Sequence, residues 1–285
     1  MADSVPSDPQ QFRTTSWRRI LVAVWGIPLL TIVILIGGWW FAVTVALIAA
    51  FAMYEYMTLM RANGAAVVRT SAVTAAALVV LLTYVKPSYG FDFGLAAAIY
   101  LALVSLRGDV RTMSLRLTAA LGGLIYIAGF LSLLVILRSQ VLPHDRFGGA
   151  TFILFLMSSI WICDTGAYYG GVACGHRPLA PAISPKKTVE GAIIGLLAAL
   201  VWGLLGVLLL RTQLPWLFIL LTAVAAGTVG QAGDLIESMF KRSAGVKDSG
   251  SFLPEHGGIF DRFDSLILTT PVVFLLAHIF RIIEI

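Results

Sequence analysis

Charge is scarce in this chain. Only 12% of its 285 residues are Asp, Glu, Lys or Arg, against 59% that are hydrophobic. A soluble domain carries about 25% charge. A soluble helical bundle of this length would lack the charge to cover its surface, and that class is excluded. Cysteine is scarcer still: Cys163 and Cys174 stand alone, too few for a disulfide framework. No internal repeat is visible, which removes the inverted-repeat signature of many transporters. No basic stripe is interleaved with stacking aromatics, so the net charge of +5 is not a nucleic-acid footprint, and no nucleic acid is expected as a partner.

What the chain has instead is long apolar runs. Stretches of about 18 apolar residues read as membrane-spanning helices. The candidates are 20–38, 39–60, 69–86, 91–106, 117–137, 150–172, 189–210, 214–236 and 264–283. The expected fold is all-α, a polytopic integral membrane protein with about nine transmembrane helices. The first two candidates abut at Gly37, Gly38, Trp39 and Trp40, which reads as a tight hairpin with an interfacial aromatic anchor. Residues 1–19 form a polar N-terminal tail, 20–149 a set of N-terminal helices, and 150–285 a C-terminal catalytic region with loops at one face. The first apolar run is long and has no small-residue cleavage site, so it is expected to remain as a helix and not to be removed as a signal peptide.

Orientation follows from the cations. With the N-terminus cytoplasmic, fifteen of the twenty Lys and Arg residues fall on inner segments. This positive-inside bias predicts a cytoplasmic N-terminus and anionic membrane lipids as neighbours. Both cysteines then lie on or near the inner face.

The acids are uneven too. Eight of the fifteen lie between positions 164 and 264: Asp164, Glu190, Asp234, Glu237, Asp248, Glu255, Asp261 and Asp264. Carboxylates at the ends of membrane helices are costly and usually functional. Asp261 and Asp264 are three apart, as are Asp234 and Glu237, so each pair shares a helix face where the chain is helical. Two such helix ends would gather three or four carboxylates, the donor set that suits Mg²⁺ beside substrate phosphates. Alone, Asp261 and Asp264 would read as acids suited to a helix start; beside Asp234 and the loop's glycines they read as metal ligands. Gly250, Gly257 and Gly258 allow a backbone to approach a phosphate closely. Lys241, Arg242, Lys247 and Arg262 supply cations, and His256 could bond a phosphate or move a proton.

A second stretch runs from Asp164-Thr-Gly-Ala-Tyr168 to Ser184-Pro-Lys-Lys-Thr188 and Glu190. Ser184 or Thr188 can cap the seventh helix, with Pro185 suited to its first turn. A helix N-terminus beside Lys186 and Lys187 makes an anion site, with no strand expected before it. Carboxylates for metal, cations and glycines for phosphates, and a membrane surface together describe phosphoryl or nucleotidyl transfer to a lipid.

The segment Ser238 to Asp264 resembles the signature of the phosphatidate cytidylyltransferase (CDP-diacylglycerol synthase) family. Ser238, Lys241, Arg242, Lys247, Asp248, Gly250, Pro254, His256, Gly257, Gly258, Asp261, Arg262 and Asp264 all fit it. The runs 183–191 and 164–168 are also similar to the family, as is Glu55-Tyr-Met-Thr-Leu in the N-terminal half. The resemblance implies that CTP and phosphatidic acid are joined, releasing pyrophosphate and CDP-diacylglycerol. It implies a metal centre on Asp234, Asp261 and Asp264 holding Mg²⁺ and a second cation such as K⁺. It further implies phosphate contacts from Lys186, Lys187, Lys241, Arg242 and Arg262, site roles for Lys247, Asp248 and His256, a homodimer, and an active site on the cytoplasmic face of the bacterial inner membrane. Asp164, Ser184, Thr188, Glu190, Ser238, Gly257 and Gly258 complete the expected substrate-binding set. Two rivals are weaker. A CTP-dependent polyprenol kinase would need a base near its alcohol, and the complete loop signature argues against it. An ion-coupled transporter would hold its charges near the bilayer midplane.

Overall fold

A computed structural model describes residues 24–65, 68–107, 109–142, 145, 147–209, 214–250 and 257–283. The polar tail, Pro254, Glu255 and His256 lie outside the described residues. Helices among the described residues are α1 (Val24–Ile36), α2 (Gly38–Ala62), α3 (Arg69–Val85), α4 (Pro87–Ser105), α5 (Val110–Gln140), α6 (Gly148–Cys174), α7 (Val189–Leu209), α8 (Trp216–Ser243) and α9 (Phe260–Ile279). Seven of them, all but α1 and α3, are long and apolar enough to cross a membrane. Single π-helical turns interrupt α5 at Leu124–Gly129 and α8 at Ala226–Gly230.

Two sequence expectations are corrected here. The chain between α6 and α7 is not simply a loop leading into a helix. Strands β1 (Pro178–Ala180) and β2 (Ser184–Thr188) pair antiparallel, Pro178 opposite Thr188 and Ala180 opposite Ser184. A strand therefore does precede α7, and Pro185 sits in it, not in the first helical turn. Thr188 is the cap: its Oγ1 accepts the Gly191 N–H at 3.1 Å, satisfying one donor of the helix start. The second correction concerns α8, which runs to Ser243 and carries Lys241 and Arg242 on its last turn. The apolar run ends near 236, but the helix continues as an amphipathic one, burying Gly233, Glu237 and Ser238 and leaving its cations where a helix C-terminus favours them.

Small residues let the helices approach. Lipid is as apolar as a leucine side chain, so close packing must do what the hydrophobic effect does in water. On α2, Ala42, Ala46, Ala49 and Ala52 form a buried stripe. Between α6 and α7, a Cβ on Gly195 would lie 2.7 Å from the Cys163 carbonyl oxygen and 2.9 Å from the Ala167 Cβ. The outer face of α7 is the reverse: Ile193, Leu197, Val201, Leu204 and Leu208 are exposed in one stripe, an uncharged surface fit for acyl chains. An edge-to-face cluster of Tyr56, Tyr126, Phe240 and Phe260 joins α2, α5, α8 and α9.

The α6–α7 contact is testable. Gly195→Val should lower the thermal midpoint of the detergent-purified protein, at a cost of about 1–3 kcal/mol from overpacking. Leu197→Val on the lipid-facing stripe should cost less than about 0.5 kcal/mol.

Candidate active site

Five segments converge at one end of the bundle. The C-terminal half of α6 brings Asp164; the hairpin brings Lys186, Lys187 and Thr188; α8 brings Asp234 and Lys241; the following segment brings Asp248; and α9 brings Asp261, Arg262 and Asp264. All of these line one cavity of about 890 Å³. Asp164 lies ten residues before the end of α6, about 15 Å into the bundle at the helical rise. The cavity has two characters. Those charged groups line it together with the polar Gln231 and Ser265, and so do the apolar Met157, Ile160, Trp161, Val172, Phe263 and Leu266.

The closest acids are Asp234, Glu237 and Asp264, whose carboxylate oxygens lie within 4.8 Å of one another. Gly233 makes this possible. A Cβ there would meet the Asp264 carbonyl oxygen at 2.7 Å and the Ser265 Cα at 3.1 Å, so only glycine lets α8 and α9 touch beside the two aspartates. Asp234 is also held by Lys187, 2.5 Å from Oδ2, and accepts the Ser238 hydroxyl at 3.4 Å. Asp264, 9% exposed, accepts its neighbour's Ser265 N–H at 2.6 Å. Glu237 is fully buried. Its Oε2 lies 2.5 Å from Lys241 Nζ, yet neither oxygen has a hydrogen bond of good geometry among the described residues. Buried carboxylate oxygens without hydrogen bonds are expensive. Glu237, with Asp234 and Asp264 at this spacing, makes a set of hard donors fit for a divalent cation.

Asp261 keeps different company. Its Oδ1 is 2.6 Å from Lys241 Nζ, and its Oδ2 accepts the Ser249 N–H at 3.1 Å and the Gly258 N–H at 2.8 Å. Lys241 thus bridges Glu237 and Asp261. The glycines are equally specific. Gly257 has φ +78°, and a Cβ there would lie 2.7 Å from Asp261 Oδ2. A Cβ on Gly250 would lie 2.5 Å from Glu55 Oε1, and one on Gly258 would overlap both Ser249 Oγ and the Glu55 carboxylate. In this structure their near neighbours are carboxylates of the protein.

Other expected residues stand outside the cavity lining. Glu190 accepts the N–H groups of His176 and Arg177 at 3.0 and 3.1 Å, bracing the chain into the hairpin. Arg242 donates to the Ile183 and Val246 carbonyls at 3.3 and 3.1 Å, tying the hairpin turn to the segment after α8. Lys247 is exposed, Ser184 begins β2, and Ser238 is buried against Asp234. Glu237 belongs to the carboxylate set that helix spacing gathers but not to the ligand set that the family resemblance implies, and Glu55 has no site role in the sequence reading. The signal was there for Glu55, the one acid between Asp8 and Asp92 and set within an apolar run, the situation that marks function in membrane helices.

An apolar helical bundle with a charged cavity sunk into one end is the architecture of a membrane-embedded enzyme. Residues 17–280 match the model of the cytidylyltransferase family, and the chain belongs to that family. It is 33% identical to the phosphatidate cytidylyltransferase of Synechocystis over 280 residues, covering 90% of this chain and 94% of that protein. It is 44% identical to the phosphatidate cytidylyltransferase of Bacillus subtilis over 132 residues, about half of each chain (46% and 49%). The Haemophilus influenzae protein of the same name is 41% identical over 151 residues, 51% of each.

Lys241 is only 13% exposed in its side chain. Its replacement by Met, close in length and uncharged, leaves two neighbouring buried carboxylates without their cation. Lys241→Met should destabilise the protein by about 3 kcal/mol or more, read as a fall in thermal midpoint of the purified protein.

Proposed function

We propose that this protein is a phosphatidate cytidylyltransferase, joining CTP to phosphatidic acid and releasing pyrophosphate and CDP-diacylglycerol. The observation that carries the proposal is the mixed lining of the cavity in a chain of the cytidylyltransferase family: acids and cations share it with apolar side chains at the end of a membrane bundle. A nucleoside triphosphate needs the charged groups and an acyl-chain lipid the apolar ones. The volume lies in the range of small-molecule sites.

In the reaction, a phosphate oxygen of the lipid attacks the α-phosphorus of CTP, and the bond to the β-phosphate oxygen breaks to release pyrophosphate. The attacking oxygen is already anionic near neutral pH, so no residue need act as a strong base. Catalysis is positioning and charge neutralisation. Lys186, Lys187 and Arg262 lie on the cavity wall to receive phosphate oxygens. Lys241, Ser249 and Gly258 hold Asp261 in one orientation. His256, Lys247 and Asp248 belong to the same signature segment and complete the proposed site.

Mg²⁺ is the cofactor we assign, with a second cation such as K⁺. Asp234, Glu237 and Asp264 fit a divalent ion by their spacing and by the unsatisfied oxygens of Glu237, with Asp261 beside them. A bound divalent cation would neutralise triphosphate charge and raise the electrophilicity of phosphorus.

We place the cavity on the cytoplasmic side of a bacterial inner membrane, with an inside N-terminus, nine spans and a homodimeric assembly. Two facts support the orientation. Asn63, at the end of α2 beside Arg61, donates to Ser243 at the end of α8 at 2.9 Å, so the cavity end is also a positively charged end. CTP is a cytoplasmic metabolite.

The test uses purified protein, phosphatidic acid vesicles, Mg²⁺ and CTP labelled at the α-phosphate. Label entering the lipid with equimolar pyrophosphate supports the proposal. CDP release without labelled lipid would replace it with a lipid kinase. Asp261→Asn and Asp264→Asn should each lower turnover at least about a hundredfold while the protein stays folded and membrane-inserted. Near-normal turnover in either would remove that residue from the site.

A further inference from the structure

The geometry points to Glu55 on α2 as a positioning residue for the catalytic segment, acting from the N-terminal half of the chain. Its carboxylate is 4% exposed and fully engaged. Oε1 accepts the Ile259 N–H at 3.0 Å; Oε2 accepts the Phe260 N–H at 2.8 Å and lies 2.8 Å from Ser249 Oγ. Helix α9 starts at Phe260 with no side-chain cap of its own from Ile259. The first N–H groups of a helix have no partner within it, and a carboxylate there is favoured by the helix dipole. Glu55 supplies that cap from about 200 residues away.

Two carboxylates divide the donors of the segment between them. Glu55 takes Ile259 and Phe260; Asp261 takes Gly258 and the Ser249 N–H. Ser249 Oγ, with a single hydrogen to donate, lies between the two, 2.8 Å from Glu55 Oε2 and 3.1 Å from Asp261 Oδ2. Gly250 and Gly258 leave room for the Glu55 carboxylate that no Cβ would allow. Glu55 does not line the cavity, so it acts through others: it sets where α9 begins, and hence where Asp261, Arg262 and Asp264 stand relative to α8. The catalytic consequence rests on the transfer reaction proposed above; the anchoring does not.

The experiment compares wild type, Glu55→Gln and Glu55→Ala by two readouts. Residue-resolved hydrogen exchange needs no substrate. It should rise at least about tenfold at Ile259 and Phe260 in Glu55→Ala, with Glu55→Gln between, because their acceptor is lost. Cytidylyl transfer per folded molecule should fall at least about tenfold in kcat, with KM for CTP within about threefold, the pattern of lost alignment. Unchanged exchange overturns the anchoring. Raised exchange with kcat within about twofold of wild type overturns the positioning role and leaves a stability role only. Absence of transfer in wild type refutes the proposed reaction, while the exchange arm still decides the anchoring. If Glu55→Ala fails to fold, Glu55→Gln and Ser249→Ala, which removes the shared hydroxyl, carry both readouts.

Discussion

The ammonium of Lys241, wedged between Glu237 and Asp261, is the contact on which the rest of the site depends. Taking a carboxylate out of water costs several kcal/mol unless charge and hydrogen bonds replace the water. This bundle buries Glu237 completely and Asp264 nearly so. Lys241 offsets part of that cost from the last turns of α8, and in doing so it joins α8 to the first turn of α9. From Asp261 the chain of polar contacts continues through Ser249 to Glu55 on α2. One run of charges and hydrogen bonds thus crosses α8, α9, the intervening segment and α2, while the apolar packing beneath it holds those helices at contact distance.

Carboxyl groups outnumber their close cationic partners in the cluster. Asp164, Asp234, Glu237, Asp261 and Asp264 gather against Lys187 and Lys241 as close partners. An excess of carboxyl groups over cations in a poorly hydrated place is suited to the binding of a further cation. The apolar residues of the same lining, Met157, Ile160, Trp161, Val172, Phe263 and Leu266, ask for nothing polar. A molecule with an anionic head and apolar chains meets both demands only at this boundary, which explains why the acids sit at the end of the bundle and not along its length.

Much of this was legible in the sequence. Hydropathy located the helices, with most ends within four residues, because an apolar run of spanning length has few other uses; α5 begins at Val110 and α8 ends at Ser243, each seven residues beyond its apolar run. The clustering of acids between 164 and 264 located the cavity. What hydropathy could not see is how a helix goes on once its residues turn polar: α8 continues through Lys241 because its buried face persists while its mean hydropathy drops. The hairpin at 178–188 was missed because neither strand shows an alternating apolar pattern; its pairing is held by backbone bonds and by Glu190 at its base. Glu55 carried a signal, an acid amid apolar residues, but its partners lie about 200 residues on, and no local pattern names them. Gly250 and Gly258 also leave room for a side chain from another helix, an approach that no local pattern in the sequence names.

The π-helical turn at Ala226–Gly230 sits one helical turn before the acids of α8. Such a turn holds one residue more than an α-helical turn would, and each residue of an α-helix advances the face by about 100°. The inward aim of Asp234, Glu237 and Lys241 therefore depends on how many residues precede them as much as on which residues they are. Over evolutionary time this stretch of chain should accept exchanges of one small side chain for another far more readily than the gain or loss of a single codon, because a lineage that drops one residue there keeps its composition and turns its acids away from the cavity.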